Sequence, residues 1–336
     1  MRVLVTGAGQ VGSWVAHHLL AMGHRVTVFD VAPIAPWAAE VIGGANGVEF
    51  VQGDVTDAPD VVRVLEGSGA EAVVHTAALL TAAVRRRPYA GVRVNVIGAL
   101  NVLEAARLRG GVRVVFCSSS TVYAAIWGAY ADEPIPADFR MRVLADRPRS
   151  VYATTKLAVE WLGLNYVDEG YGDFVAVRFQ GVVGPWGGTP SGIPARVLQG
   201  IVEPAVRGED VVIADPLVVW DGVEEFVHAS DAGRGAALAA TAAMPRERVY
   251  SIGMGRAYTH AEVLEIARRV FPGVRVATRV TPTGGIAGYP VVRTREADPE
   301  PARRDLGYAP AFDMEGAMRD YAAWYRARAG VSPRRT

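Results

Sequence analysis

A chain of 336 residues is too long for one minimal domain and suits two domains, or one large sheet carrying a lobe. Half of its residues are hydrophobic and 21% are charged, ordinary globular usage that excludes a disordered chain. Its 35 basic residues balance 35 acidic ones, so no global field draws it to nucleic acid or to an anionic membrane.

Met1 to Gly7 is an apolar run too short for a secretory leader, and no 18 uncharged apolar residues run together, so no membrane span is expected. The single cysteine, Cys117, excludes an intramolecular disulfide and a zinc site built on several thiolates, and it fits a reducing, cytoplasmic compartment. The six histidines show no ligand spacing, so no metal is assigned.

Short Val-rich runs recur along the first half: 3–5, 25–29, 48–51, 72–75, 112–116 and 174–179, with helical patterns between them. This alternation predicts an α/β fold, a Rossmann-type doubly wound parallel sheet buried on both faces. Beyond residue 180 the texture changes to Gly/Pro punctuation over 184–190, then a helical stretch over 194–207. We expect a dinucleotide-binding unit over 1–180, a returning strand near 249–253, and a smaller interleaved substrate lobe over 181–248 and 254–330. The last residues, 330–336, read as a frayed tail.

The first strand runs into Gly7-Ala8-Gly9-Gln10-Val11-Gly12, a G-x-G-x-x-G turn followed by a helical pattern from Ser13 to Met22. Glycines are required where the turn is tight and where backbone must touch a pyrophosphate, and the helix N–H groups then hold the anion. Asp30 follows 18 residues past Gly12 at the end of the second strand. A carboxylate there accepts from a ribose 2′-OH and repels a 2′-phosphate, which favours NAD over NADP. Asp54 and Val55, after the third strand, are expected near the adenine.

Lys156 is the only lysine, and it stands four residues after Tyr152. With 12 tyrosines in 336 positions, chance places a lysine there about one time in 28. An i,i+4 pair shares a helix face, and an adjacent cation is expected to favour the phenolate of a residue that must exchange protons. Ser118-Ser119-Ser120-Thr121 closes a buried strand, where parallel sheets place their ligands.

These residues resemble the extended short-chain dehydrogenase/reductase family, which contains NAD-dependent sugar-nucleotide epimerases and dehydratases. His75-Thr76-Ala77-Ala78 is similar to the family's H-x-A-A strand end, and Asn95 opens a segment similar to its N-V-x-G-T-x-N helix. Residues 302–310 resemble its L-G-[WY]-x-P segment. The resemblance implies Ser119, Tyr152 and Lys156 as catalytic residues. It implies cofactor contacts from Gly7, Gly9, Gln10, Val11, Gly12, Asp30, Asp54, Val55, Thr76, Ala77, Ala78, Asn95, Tyr152 and Lys156, and substrate contacts from Ser119, Thr121 and Gly181. It also implies a homodimer paired through the helical patterns over 94–109 and 152–169.

Departures from the family pattern bear on substrate. Gly181 stands where an asparagine usually meets a sugar-nucleotide diphosphate, and Glu224 where an arginine usually clamps it. Ser120-Thr121 replaces the acid/base pair of sugar dehydratases. The leading expectation is therefore an NAD-dependent dehydrogenase acting on a secondary alcohol of a small sugar, sugar acid or hydroxy acid, with Tyr152 as general base. The alternative is an NAD-recycling sugar-nucleotide epimerase, for which Arg196 or Arg293 would supply the clamp. A catalytically silent NAD-binding regulator is the third reading, opposed by the intact Ser119, Tyr152 and Lys156.

Overall fold

The alternation of side chains along the Val-rich runs sets two apolar faces, and the computed structural model, which describes residues 1–44, 47–188 and 192–329, buries both. In β1 (Arg2–Thr6), Val3 and Val5 face one core while Leu4 faces the other. β2 (Arg25–Asp30), β3 (Glu49–Gln52), β4 (Ala72–His75), β5 (Arg113–Ser119) and β6 (Asp173–Phe179) join it in one sheet. The helices between them are α1 (Gln10–Ala21), α2 (Pro36–Ile42), α3 (Ala58–Ser68), the short α4 (Thr81–Arg86) and α5 (Pro88–Val92), α6 (Gly98–Arg109) and α7 (Val151–Asp168). A strand buried on both faces needs helices on both, which is why each run is followed by a helical segment.

Further along lie β7 (Gly181–Val183), α8 (Ile193–Arg207), β8 (Val211–Ile213), β9 (Glu224–His228) and α9 (Ala229–Thr241). The chain then returns to the main sheet as β10 (Val249–Ile252), which pairs in parallel with β6. The full order is β10-β6-β5-β4-β1-β2-β3, every pairing parallel. Strand order reverses at β1/β4, so the crevice for a ligand opens beyond the carboxyl ends of those two strands.

The remaining elements are β11 (Ala257–Tyr258), α10 (His260–Val270), β12 (Val276–Thr278), α11 (Glu300–Leu306) and α12 (Met314–Ala329). Of these, β11, α10, β12 and α12 join α8 around a separate core with Leu198, Ile201, Trp220, Phe226 and Met318, whereas α11 packs on the main sheet's core through Ala302 and Leu306. Among the described residues no helix is long and apolar enough to cross a membrane, and no group of three or more His, Cys, Asp or Glu is placed to hold a metal. The tail read as frayed lies outside the described residues.

Candidate active site

β1 delivers the chain to Gly7, whose φ of +92° turns it sharply into α1. A Cβ on Gly12 would overlap the Gly7 carbonyl oxygen, whereas nothing lies within 4 Å of one built on Gly9. The loop is therefore packed from below and open above. Its open face sits at the start of a 12-residue helix, which suits an anion such as a pyrophosphate.

The surrounding residues brace this loop. Thr76 Oγ1 donates to the carbonyls of Thr6 (2.7 Å) and Gly7 (3.0 Å), and the Ala77 backbone lies against Gly7. Ala78 continues the connection out of β4. The Asp30 carboxylate accepts from the N–H of Ala8 (2.7 Å) and of Ala32 (3.0 Å). Two accepted bonds leave about two of its four lone-pair sites for a ribose hydroxyl. Gln10 Nε2 donates to the Pro185 carbonyl at 3.0 Å, and Val11 packs into the core under the loop. Asp54 is exposed in a cleft beside Thr56 and Arg93, while Val55 is buried against Gly98. Asn95 is buried: its amide spans the Leu79 backbone (2.8 and 3.0 Å) and Thr155 Oγ1 (3.1 Å), so it ties the turn after β4 to α7.

The hydroxyl cluster ends β5. Ser119 Oγ accepts from Thr121 Oγ1 at 3.0 Å and from the Thr121 N–H, capping a 3-10 helix over Ser120–Ala129. Ser150 caps α7 in the same way, accepting from the Ala153 N–H at 3.1 Å, and this sets Tyr152 in the first turn. The Ser119 hydroxyl lies close enough to the Tyr152 phenol to favour its ionised form. One turn on, Lys156 Nζ donates to the Cys117 carbonyl at 2.7 Å and lies 5.9 Å from the centre of the Tyr152 ring. Sequence spacing thus brings serine, tyrosine and lysine together across β5 and α7.

The electrostatics differ from the sequence expectation. Burial pushes the Tyr152 phenol above its ordinary value, and only the neighbouring Ser119 hydroxyl opposes it. The Lys156 ammonium is engaged by the Cys117 carbonyl, and burial brings its pKa down to about 8. Burial also pushes the Cys117 thiol up to about 12, which suits a core residue and not a nucleophile. Next on the helix, Glu160 accepts from Ser118 Oγ (2.5 Å) and pairs with Arg178 (2.6 Å), linking β5, β6 and α7 beneath the site.

Residues 3–253 match the profile of the NAD dependent epimerase/dehydratase family. The chain belongs to that family. It is 30% identical over 334 residues to a UDP-glucose 4-epimerase of Corynebacterium glutamicum, covering 96% of this chain and 95% of the relative. Among solved structures it is similar to a UDP-glucose-4-epimerase from Stenotrophomonas maltophila with bound NAD and formylated UDP-arabinopyranose. That likeness has a TM-score of 0.79 at 27% identity, over 99% of this chain and 100% of the other. It also resembles an L-threonine dehydrogenase from Cupriavidus necator, with a TM-score of 0.77 at 24% identity over 96% and 99% of the two chains, a likeness of fold alone.

In this member of the epimerase/dehydratase family, the residues expected to face a diphosphate are engaged within the protein. Glu224 is buried and paired with Arg293 at 3.2 Å, and Glu225 pairs with the same guanidinium at 2.9 Å. Glu224, which stands where the family resemblance expects an arginine, is therefore matched by a guanidinium from elsewhere in the chain. Arg293 also donates to Gln180 Oε1 (2.9 Å) and to the Arg295 carbonyl (2.7 Å), which leaves it fully buried and already engaged. Arg196 is partly exposed and pairs with Asp215. At Gly181 a Cβ would approach Pro194 at 3.0 Å and Phe226 at 3.2 Å, so packing between β7 and α8 favours glycine there.

Gln180 and Tyr289 escaped the sequence reading. Tyr289 packs on Trp127 with ring centroids 5.2 Å apart. Neither carries a motif. The one available signal was two adjacent glutamates in an apolar strand, which require a buried cation from somewhere else in the chain.

Proposed function

We propose that this chain is an NAD-recycling sugar epimerase that oxidises a secondary hydroxyl of a UDP-sugar and re-reduces the resulting ketone from the other face. The observation that carries this reading is the Ser119–Tyr152–Lys156 cluster beside the glycine loop, in a chain whose relatives along nearly their whole length include UDP-sugar 4-epimerases. NAD would supply the hydride acceptor and then the hydride donor. Tyr152 Oη takes the proton of the reacting hydroxyl and returns it; Ser119 Oγ orients that hydroxyl; Lys156 holds positive charge behind the phenol. Gly7, Gly9 and Gly12 present backbone to the pyrophosphate, Asp30 accepts from the adenosine ribose, and residues 181–248 and 254–330 select the sugar. The raised Tyr152 phenol becomes a workable base only when a bound substrate and cofactor replace water and bring fixed charge beside it.

A second reading, a dehydrogenase of a small alcohol without a nucleotide, is favoured by one observation. One of the two arginines expected to clamp a diphosphate, Arg293, is bound to two glutamates and a glutamine. Assembly belongs with either reading: Ile97, Leu108 and Trp161 on and beside α6 and α7 are 41%, 67% and 51% exposed, and we propose that they meet a second copy.

The test is the nicotinamide content of freshly purified, heat-denatured protein, followed by turnover of UDP-glucose and UDP-galactose. Near-stoichiometric NAD with interconversion of the two sugars is expected. Cofactor-free protein that reduces added NAD with small alcohols would install the second reading. Tyr152→Phe is expected to lower kcat by about 10²–10⁴-fold, the usual contribution of a positioned proton carrier.

A further inference from the structure

A tryptophan contact is tied to the glycine loop through Gln10. Trp37, in the first turn of α2, packs on Trp186 with ring centroids 4.1 Å apart and planes at 57°. Trp186 belongs to the segment Gly184–Gly188 that leaves β7. The same segment is fastened to the glycine loop by Gln10, whose amide donates to the carbonyls of Gly184 (3.3 Å) and Pro185 (3.0 Å). Gly187 completes the fit, since a Cβ there would overlap the Trp37 indole. α2 is anchored from behind, where Glu40 pairs with Arg328 of α12 and the Arg328 guanidinium lies 4.2 Å from the Trp324 ring centre.

Two pieces of chain far apart in sequence are therefore joined where they flank the same loop. One is the connection after Asp30, which leads to Trp37. The other is the segment from Gly184, which reaches the loop through Gln10. Gln10, which fastens the second piece, adjoins Gly9, on whose open face a pyrophosphate would approach. We propose that Trp37 and Trp186 form a clasp that closes the Gly184–Gly188 segment over the dinucleotide site and retains NAD between turnovers. This rests on the NAD-dependent reading above and extends it, since a retained cofactor suits an enzyme that regenerates it within each cycle. A dehydrogenase must instead release reduced cofactor every turnover, and a closed clasp would make that release slow. The contact is tilted aromatic packing plus two amide hydrogen bonds, enough in general to slow opening by an order of magnitude or more.

The experiment uses the full chain stripped of nucleotide, loaded with NADH and mixed with excess NAD while NADH fluorescence is followed. Trp37→Ala is expected to speed NADH dissociation by about tenfold or more, with Trp37→Phe close to the wild type because it keeps an aromatic face. Dissociation at the wild-type rate in Trp37→Ala overturns the clasp while leaving the NAD-dependent reading in place. If wild-type protein binds no NADH, both fall together. Should Trp37→Ala fail to fold, Trp186→Ala opens the same contact from the other side, and an unchanged rate there is equally fatal to the clasp.

Discussion

Two glutamates sharing one buried guanidinium leave one carboxylate short of positive charge. Burial pushes Glu225 up to about 7, although Arg293 and the N–H groups of Ala297 and Gly255 pull the other way. The ordinary value is 4.5, so the folded protein holds this proton more tightly than the unfolded chain. The resulting stability is fully present below pH 4.5 and is lost as pH rises towards 7 and through it. The shift corresponds to about 3 kcal/mol. Relative to Glu225→Gln, the wild type should therefore lose about that much between pH 4.5 and pH 8 in paired urea unfolding. Parallel curves would mean that Arg293 keeps Glu225 ionised throughout. At this same scale the sequence showed its limits. Tyr152 and Lys156 were legible because their spacing is local to one helix. The partners of Glu224 and Glu225 were not, because Arg293 lies 68 residues beyond Glu225 and no periodicity links them. The direction of the Tyr152 shift is not legible for a related reason: i,i+4 spacing places a lysine on the right face but does not show that burial dominates the phenol or that the Cys117 carbonyl accepts the ammonium's hydrogen bond.

Among elements, the junction of β1 and α1 tolerates least. Gly12→Ala would drive a methyl into the Gly7 carbonyl, backbone against backbone, so either the loop or the helix must shift. NAD affinity is expected to fall by at least about tenfold while far-UV circular dichroism stays near wild type, measured by titration with NADH. Retained affinity would show that the loop reorganises freely and that its observed shape is not required. The inner strands of the main sheet could be read from Val-rich runs, since a strand buried on both faces has little room for polar residues, while the edge strands β3 and β10 carry weaker patterns. The shorter β7, β8, β9, β11 and β12 were not resolved in that reading. They are two to five residues long and make small sheets of their own, and β9 carries the two glutamates inside an otherwise apolar run.

For the whole molecule, α6 and α7 leave Leu108 and Trp161 uncovered. If a second copy covers them, sedimentation should report a dimer, and Trp161→Glu should shift it to monomer at the same protein concentration by placing a charge in the contact. A monomeric wild type would remove the proposal. The returning strand also has a consequence for how the molecule is made. β6 leaves the ribosome by residue 179, but its open edge is covered only when β10 emerges, ending at residue 252. At roughly 5–20 residues per second that edge stands bare for several seconds of every round of synthesis. During that interval the nascent chain carries an unpaired, valine-rich strand that any neighbouring chain could template. Its vulnerability to aggregation is therefore set by the speed of translation over the intervening segment as much as by the stability of the finished protein.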